Sequence, residues 1–185
     1  FDAQHDEKQK TYDTLDQLNE TVQDLLYISK LHGEVVIKKE PIDVSQVVQD
    51  VIEITQTLAD EKGITVNTQV EEGITLEGDR SLLTRALLNV AENAITYTPA
   101  GGTVEISLTV NDSQTMITFQ DTGIGIPAKE LDKITSRFYR ASNSVEHGTG
   151  FGLAISKAVA ESFGGGLEIE SVEGEGTTVR FLLKT

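Results

Sequence analysis

Two kinds of hydrophobic spacing divide the chain near residue 33. Leu15, Leu18, Val22 and Leu25 recur at intervals of three, four and three, the a/d seam of a coiled coil or bundle helix. The pattern fades at Ser29 and His32, and Gly33 is placed to stop the helix. One amphipathic helix cannot bury its own seam, so the spacing predicts a partner helix; packing onto the chain's own globular part is the alternative. From Glu34 on, helical and strand periodicities alternate. Residues 35–38 form a short predicted strand that ends before Pro41. Val44, Val47, Val48, Val51 and Leu58 mark a helix face closed by Gly63. Residues 64–70 read as a strand. Leu83, Leu87, Val90 and Ala94 carry a helix over 82–97, which Pro99 and Gly101-Gly102 end. Val104, Ile106, Leu108 and Val110 alternate with Thr103, Glu105, Ser107 and Thr109 as a half-buried strand, and 111–114 turn it into a second through Ile117 and Phe119. A helix over 153–163 precedes a hairpin of 167–172 and 179–183 around Gly174 and Gly176. The expected fold is an α/β (α+β) two-layer sandwich, its helices on one face of a mixed sheet, preceded by one long bundle or coiled-coil helix.

Two glycine motifs punctuate this pattern: Asp121-Thr122-Gly123-Ile124-Gly125, then Gly148-Thr149-Gly150-Phe151-Gly152-Leu153 at the opening of a helix. Glycines admit phosphate oxygens close to the backbone, and amides at a helix N-terminus present donors and a positive dipole end. The Asp before the first pair offers a carboxylate acceptor suited to an exocyclic amine such as adenine's. A lone glycine loop is usually only a turn; two in this order predict ATP binding. On the 82–97 helix, Asn89, Asn93 and Thr96 fall on one stripe with Tyr97 at its margin, apart from the apolar stripe. Two Asn at i, i+4 are poor for helix propensity. They read either as a solvated polar face or as hard oxygen ligands suited to Mg²⁺.

Composition narrows the partners. At 185 residues the chain holds one full domain and a short extension. Asp and Glu number 30 against 15 Lys and Arg, a formal charge of −15, which disfavours nucleic acid and anionic membrane. An anionic nucleotide must therefore be held by local donors. The absence of cysteine excludes disulfides, thiolate metal sites and a Cys nucleophile, and suits a reducing cytosol. No apolar run approaches the ~20 residues of a spanning helix, and no secretory signal is visible. The chain opens on Phe1 without a Met, as expected of a piece of something longer.

Asn89-Val90-Ala91-Glu92-Asn93-Ala94, Asp121-Thr122-Gly123-Ile124-Gly125, Arg137-Phe138-Tyr139-Arg140, Gly148-Thr149-Gly150-Phe151-Gly152-Leu153 and Gly174-Glu175-Gly176-Thr177 together resemble the N, G1, F, G2 and G3 boxes of the sensor histidine kinase catalytic domain. Any one box is common by chance; all five in order are specific, and they cover most of 34–185. Leu25-Leu26-Tyr27-Ile28-Ser29-Lys30 resembles the second helix of the family's dimerisation and phosphoacceptor hairpin. The resemblance implies residues 1–33 as that helix and 34–185 as a Bergerat-type domain binding Mg-ATP under a mobile lid. It implies transfer of the γ-phosphoryl group to a histidine and onward to a response-regulator receiver Asp. It implies a homodimer through the N-terminal helix, and a cytoplasmic position with membrane attachment only through a separate sensor region. In this correspondence Asp121 binds the adenine amine with Thr177 in support, and Gly123 and Gly125 shape the adenine pocket. Asn93 ligates Mg²⁺ beside Asn89, and Tyr97 lies against the nucleotide. Gly148, Thr149, Gly150, Phe151, Gly152 and Leu153 form the phosphate loop, and Arg140, with Arg137 nearby, reaches from the lid. A solvated surface is the alternative reading for either Arg.

The chain also departs from the family. Thr96 stands where Lys or Arg is usual, Phe151 where Leu is commoner, and Thr135 where the lid carries a further Phe. The acceptor histidine belongs on a helix upstream of Leu25-Leu26, and none is expected in this chain: His5, followed by Asp6, lacks the rest of an acceptor box, and His32 and His147 read as incidental. Hydrolytic and serine-kinase relatives resemble a set with Glu four residues before the metal-binding Asn, as general base. Asn89 occupies that position and cannot serve, and Glu92 is expected to point about 100° away from Asn93. A nucleotide-binding scaffold without catalysis is the remaining alternative.

Overall fold

The computed structural model describes residues 22, 24, 26, 27, 29, 39–111, 114–144 and 149–184. Leu15, Leu18, Leu25, Gly33, the 35–38 strand, all three histidines and Gly148 lie outside the described residues. Of the expected seam, Val22 is helical and 53% exposed.

The chain continues through β1 (Glu40–Asp43), α1 (Val44–Lys62), β2 (Thr65–Val70), β3 (Thr75–Gly78), α2 (Arg80–Tyr97), β4 (Thr103–Asn111), β5 (Gln114–Asp121), α3 (Gly152–Ser162), β6 (Gly166–Val172) and β7 (Gly176–Lys184). Five strands form a mixed sheet in the order β2-β4-β5-β7-β6. β2 runs parallel to β4, and the remaining pairings are antiparallel. The three helices cover one face, as the alternating periodicities predict.

Local chemistry sets the helix ends. Asp43 caps α1 by accepting from Gln46 N at 2.9 Å, and Asp79 caps α2 by accepting from Ser81 N and Leu82 N. Gly63 closes α1 in the left-handed region, at φ 69°. At the last residue of α1, Lys62 Nζ donates to Ile95 O at 2.8 Å and Thr96 O at 2.6 Å. A cation thus meets the carbonyl end of α2, supplied by a neighbouring helix.

Val104, Ile106 and Leu108 on β4, Ile117 and Phe119 on β5, and Val179, Phe181 and Leu183 on β7 enter one core with Val47, Val48, Leu83, Leu87, Ile155 and Val159 of the helices. Phe119 and Phe181 meet edge to face, their centroids 6.3 Å apart.

Three expectations change. Pro41 lies inside β1, opposite Glu77 of β3; the two strands form a separate antiparallel pair, where each keeps an open edge and a missing amide costs little. Leu58 is 36% exposed, because the buried face of α1 drifts from Val47 and Val48 toward Thr55 and Ala59. Val110 is 39% exposed, near the end of β4 and beyond the helix layer.

Phe181 is fully buried at the centre of this core. Phe181→Ala is expected to destabilise the domain by about 3–5 kcal/mol, read as a lower urea midpoint at unchanged slope.

Candidate nucleotide site

A cleft of about 220 Å³ opens between α2, the end of β5, the 122–144 segment and the start of α3. Val90, Ala94, Phe119, Ile124, Ile169 and Val179 give it apolar walls, while Asn89, Asn93, Asp121, Arg140, Thr149 and Thr177 supply polar groups. The division follows from α2. Its Leu82, Leu83, Ala86 and Leu87 are buried in the core, and a helix that buries one stripe offers an adjacent one at four-residue intervals to the cleft. Asn89, Asn93 and Tyr97 are on that stripe.

Asp121 stands at one end. Its Oδ1 accepts from Gly123 N at 2.8 Å and from Thr177 N at 3.2 Å, tying the end of β5 to its loop and to β7. No hydrogen bond to Oδ2 is found among the described residues. Burial pushes the Asp121 carboxyl above its ordinary value of 3.8, and the two amide bonds oppose that rise. Glycine is required where chains close around this point. A Cβ on Gly176, at φ 128°, would collide with Asp121 O, and one on Gly125, at φ 64°, with Val172 O.

The other end is formed by Asn89, Asn93 and the Thr149–Gly152 turn. Asn89 is buried and donates one Nδ2 hydrogen to Gly152 O at 3.3 Å, which orients the amide and leaves its oxygen as an acceptor. Asn93 is half-buried one turn further on.

The segment between the two glycine motifs is pinned from inside. Glu130, in a short 3₁₀ turn, accepts from Ser142 N at 2.8 Å and Ser142 Oγ at 2.7 Å. Those bonds hold its carboxyl below the ordinary range. Burial, and then the Glu130 charge, raise the neighbouring Tyr139 hydroxyl. Asn143 Nδ2 donates to Gly125 O at 3.0 Å, joining this segment to the first motif.

The expected residues do not all reach the cleft. Asn89, Asn93, Tyr97, Asp121, Gly125, Arg140, Thr149, Gly150, Gly152, Leu153 and Thr177 border it. Gly123 stands behind Asp121 as an amide donor. Phe151 is buried in the core, its ring 4.4 Å from that of Phe138. Arg137 is exposed and not among the cleft residues. Glu92, expected to point away, borders the cleft while remaining exposed, because the opening spans more than one stripe of α2. Arg85 and Asp24 border it too. Sequence reading passed over both: the one signal for Arg85 is its place one turn before Asn89, and Asp24, on a different helix, carries no local signal.

Comparison with known proteins agrees with this geometry. Residues 78–185 match the family described as histidine kinase-, DNA gyrase B-, and HSP90-like ATPase. The chain is 31% identical over 179 residues to the sensor histidine kinase WalK of Bacillus subtilis, covering 94% of this chain and 29% of that protein. It is 43% identical over 103 residues to the sensor histidine kinase RppB of Synechocystis, covering 54% and 23%. The chain therefore spans less than a third of these relatives. Among solved structures, the mycobacterial sensor histidine kinase MprB superposes with a TM-score of 0.70 at 30% identity, covering 78% of this chain and 97% of that one. Full-length ShkA in complex with AMPPNP superposes at 0.78 and 27%, covering 95% and 38%. The chain belongs to the histidine kinase-, gyrase- and HSP90-like ATPase family, as the ATP-binding catalytic domain of a sensor histidine kinase.

The native Asp121 carboxyl binds its proton more tightly than the unfolded chain does. Its stabilising contribution is therefore complete below 3.8 and lost as pH rises through the elevated native value. Without nucleotide, Asp121→Asn is expected to be more stable than the native protein at pH 7, with the gap closing on acidification. Urea melts across that range check this; a less stable variant at pH 7 would mean that the amide bonds outweigh desolvation.

Proposed function

We propose that the cleft binds Mg-ATP and that the chain transfers its γ-phosphoryl group to a histidine, for relay to the receiver Asp of a response regulator. The observation that carries this is Asp121: a half-buried carboxylate beside an apolar slot, one oxygen held by two amides and the other unspent. A planar base with an exocyclic amine satisfies it, and the apolar walls receive the ring. Thr177 supports the carboxylate through its backbone amide, Gly123 does the same, and Gly125 brings the loop close. Tyr97 lies against the nucleotide. The amides of Thr149, Gly150 and Gly152, with Gly148 before them and Leu153 after, receive the phosphates at the opening of α3. Arg140 meets the γ-phosphate from the lid. Arg137 and Phe151 belong to the lid's outer surface and to its seat in the core. ShkA, solved with AMPPNP, supports a triphosphate occupant.

The donor chemistry fits Mg²⁺. The oxygens of Asn93 and Asn89 are neutral hard ligands that would hold a Mg²⁺ ion. Bound there, the ion would supply charge neutralisation. The chain's own residues orient the triphosphate and exclude water, which is most of what phosphoryl transfer asks of a protein. Asn89 accepts no proton usefully, so the base accompanies the acceptor histidine. We further propose residues 1–33 as the second helix of a dimerising hairpin, 34–185 as the catalytic domain, and membrane attachment only through a sensor region.

Asp121→Asn should weaken ATP binding about tenfold to a hundredfold, since charge-assisted bonds contribute about 1.5–3 kcal/mol. Calorimetric titration checks this, and unchanged affinity would remove Asp121 from the adenine contact.

Asn93→Ala is expected to abolish the Mg²⁺ dependence of tight ATP binding, while nucleotide binding in chelator stays near the native level. Undiminished Mg²⁺ dependence in that titration would place the metal elsewhere.

Phosphoryl transfer is tested by adding a phosphoacceptor hairpin from a related kinase. Acid-labile phosphohistidine should form on the hairpin, whereas a scaffold would bind ATP and leave it unmodified.

A further inference from the structure

A buried acid lies at the Asn89 and Thr149 end of the cleft. Asp24, on the N-terminal helix, is 2% exposed. Its Oδ1 is 3.1 Å from an Arg85 terminal nitrogen, and its Oδ2 accepts from Thr149 Oγ1 at 2.8 Å. Arg85 lies one turn before Asn89 and two before Asn93 on α2, so all three point to the same wall. Thr149 opens the glycine turn ahead of α3. Asp24, Arg85 and Thr149 all border the cleft. Arg85 Nε is buried without an acceptor, so the guanidinium is not saturated by its present partner.

Thr96 leaves the polar stripe of α2 without its usual cation, and Lys62 is committed to the carbonyl end of the helix. Arg85 carries positive charge further along that stripe. A planar guanidinium binds carboxylate and phosphate through the same donors, so its hold on Asp24 and a hold on phosphate compete. A carboxylate left beside incoming phosphates would also repel them at short range.

Building on the Mg-ATP reading, we propose that Arg85 is a further phosphate-binding residue, and that Asp24 is an internal competitor which holds Arg85 and Thr149 until the triphosphate displaces it. The guanidinium exchanges a carboxylate oxygen for a phosphate oxygen, and the Thr149 hydroxyl is released with it. Displacement cuts two contacts between the N-terminal helix and the catalytic unit, so occupancy of the cleft sets how tightly that helix is held.

The test is calorimetric titration of Mg-ATP into the whole chain and its variants, each first shown to unfold cooperatively. Asp24→Asn, with Asp24→Ala as a second form, should bind Mg-ATP about tenfold more tightly than the native protein, and Arg85→Ala about tenfold more weakly. Hydrogen exchange around Asp24 should accelerate when Mg-ATP is added to the native chain. Native affinity in both Asp24 variants, or undiminished affinity in Arg85→Ala, overturns the proposal. A native chain that binds no Mg-ATP overturns the nucleotide reading itself.

Discussion

The organisation of the cleft turns on a carboxylate placed where water is scarce. Asp121 is an acidic group, half-buried, in a cleft whose apolar walls include Phe119, Ile124 and Val179. Such a group persists only with donors arranged around it, and here they come from two backbone amides far apart in sequence. That requirement closes the loop after β5 back on its own strand and brings the turn before β7 against it. It also demands glycine at positions 125 and 176, where any Cβ meets backbone. The proposed adenine acceptor and the sheet's local geometry are thus one constraint.

The opposite end of the cleft is governed by competition. The chain carries 15 more acidic than basic residues, so its long-range field opposes a triphosphate, and attraction has to be local. In the proposed reading the amides at the start of α3, Arg140 and the α2 stripe supply it. The Asp24–Arg85 pair places an intramolecular anion among those donors. Desolvation offsets much of the Coulombic gain of a buried ion pair; in the proposed scheme its consequence is that a ligand competes with part of the protein for the same cation.

Much of the scaffold was readable along the chain. The helix over 82–97, the alternating β4 and the capping at Gly63 follow from short-range periodicity and conformational preference, and they appear nearly where expected. Where the sequence pattern failed, packing across elements was responsible. Leu58 has the spacing of a core residue, yet α1 crosses the layer so that Thr55 and Ala59 take the buried place. Pro41 reads as a strand terminator, but a two-stranded pair with open edges tolerates it. β3 buries Leu76 and Gly78, and with glycine at the second buried place it offers a single apolar side chain and shows no hydrophobic period.

By itself the sequence determined which chemistry was available: two glycine turns, a carboxylate before the first, and carboxamides at helical spacing on α2. Those are local properties, set by backbone geometry and by 100° of rotation per residue. Only the tertiary structure decided how the groups converge. It brought Thr177 N onto Asp121 across 56 residues and left Arg137 outside the cleft. It oriented the Asn89 amide on Gly152 and set Asp24 between Arg85 and Thr149. The reason is physical: a hydrogen bond or ion pair between distant segments leaves no periodic trace, because its partners are placed by the packing of whole helices and strands.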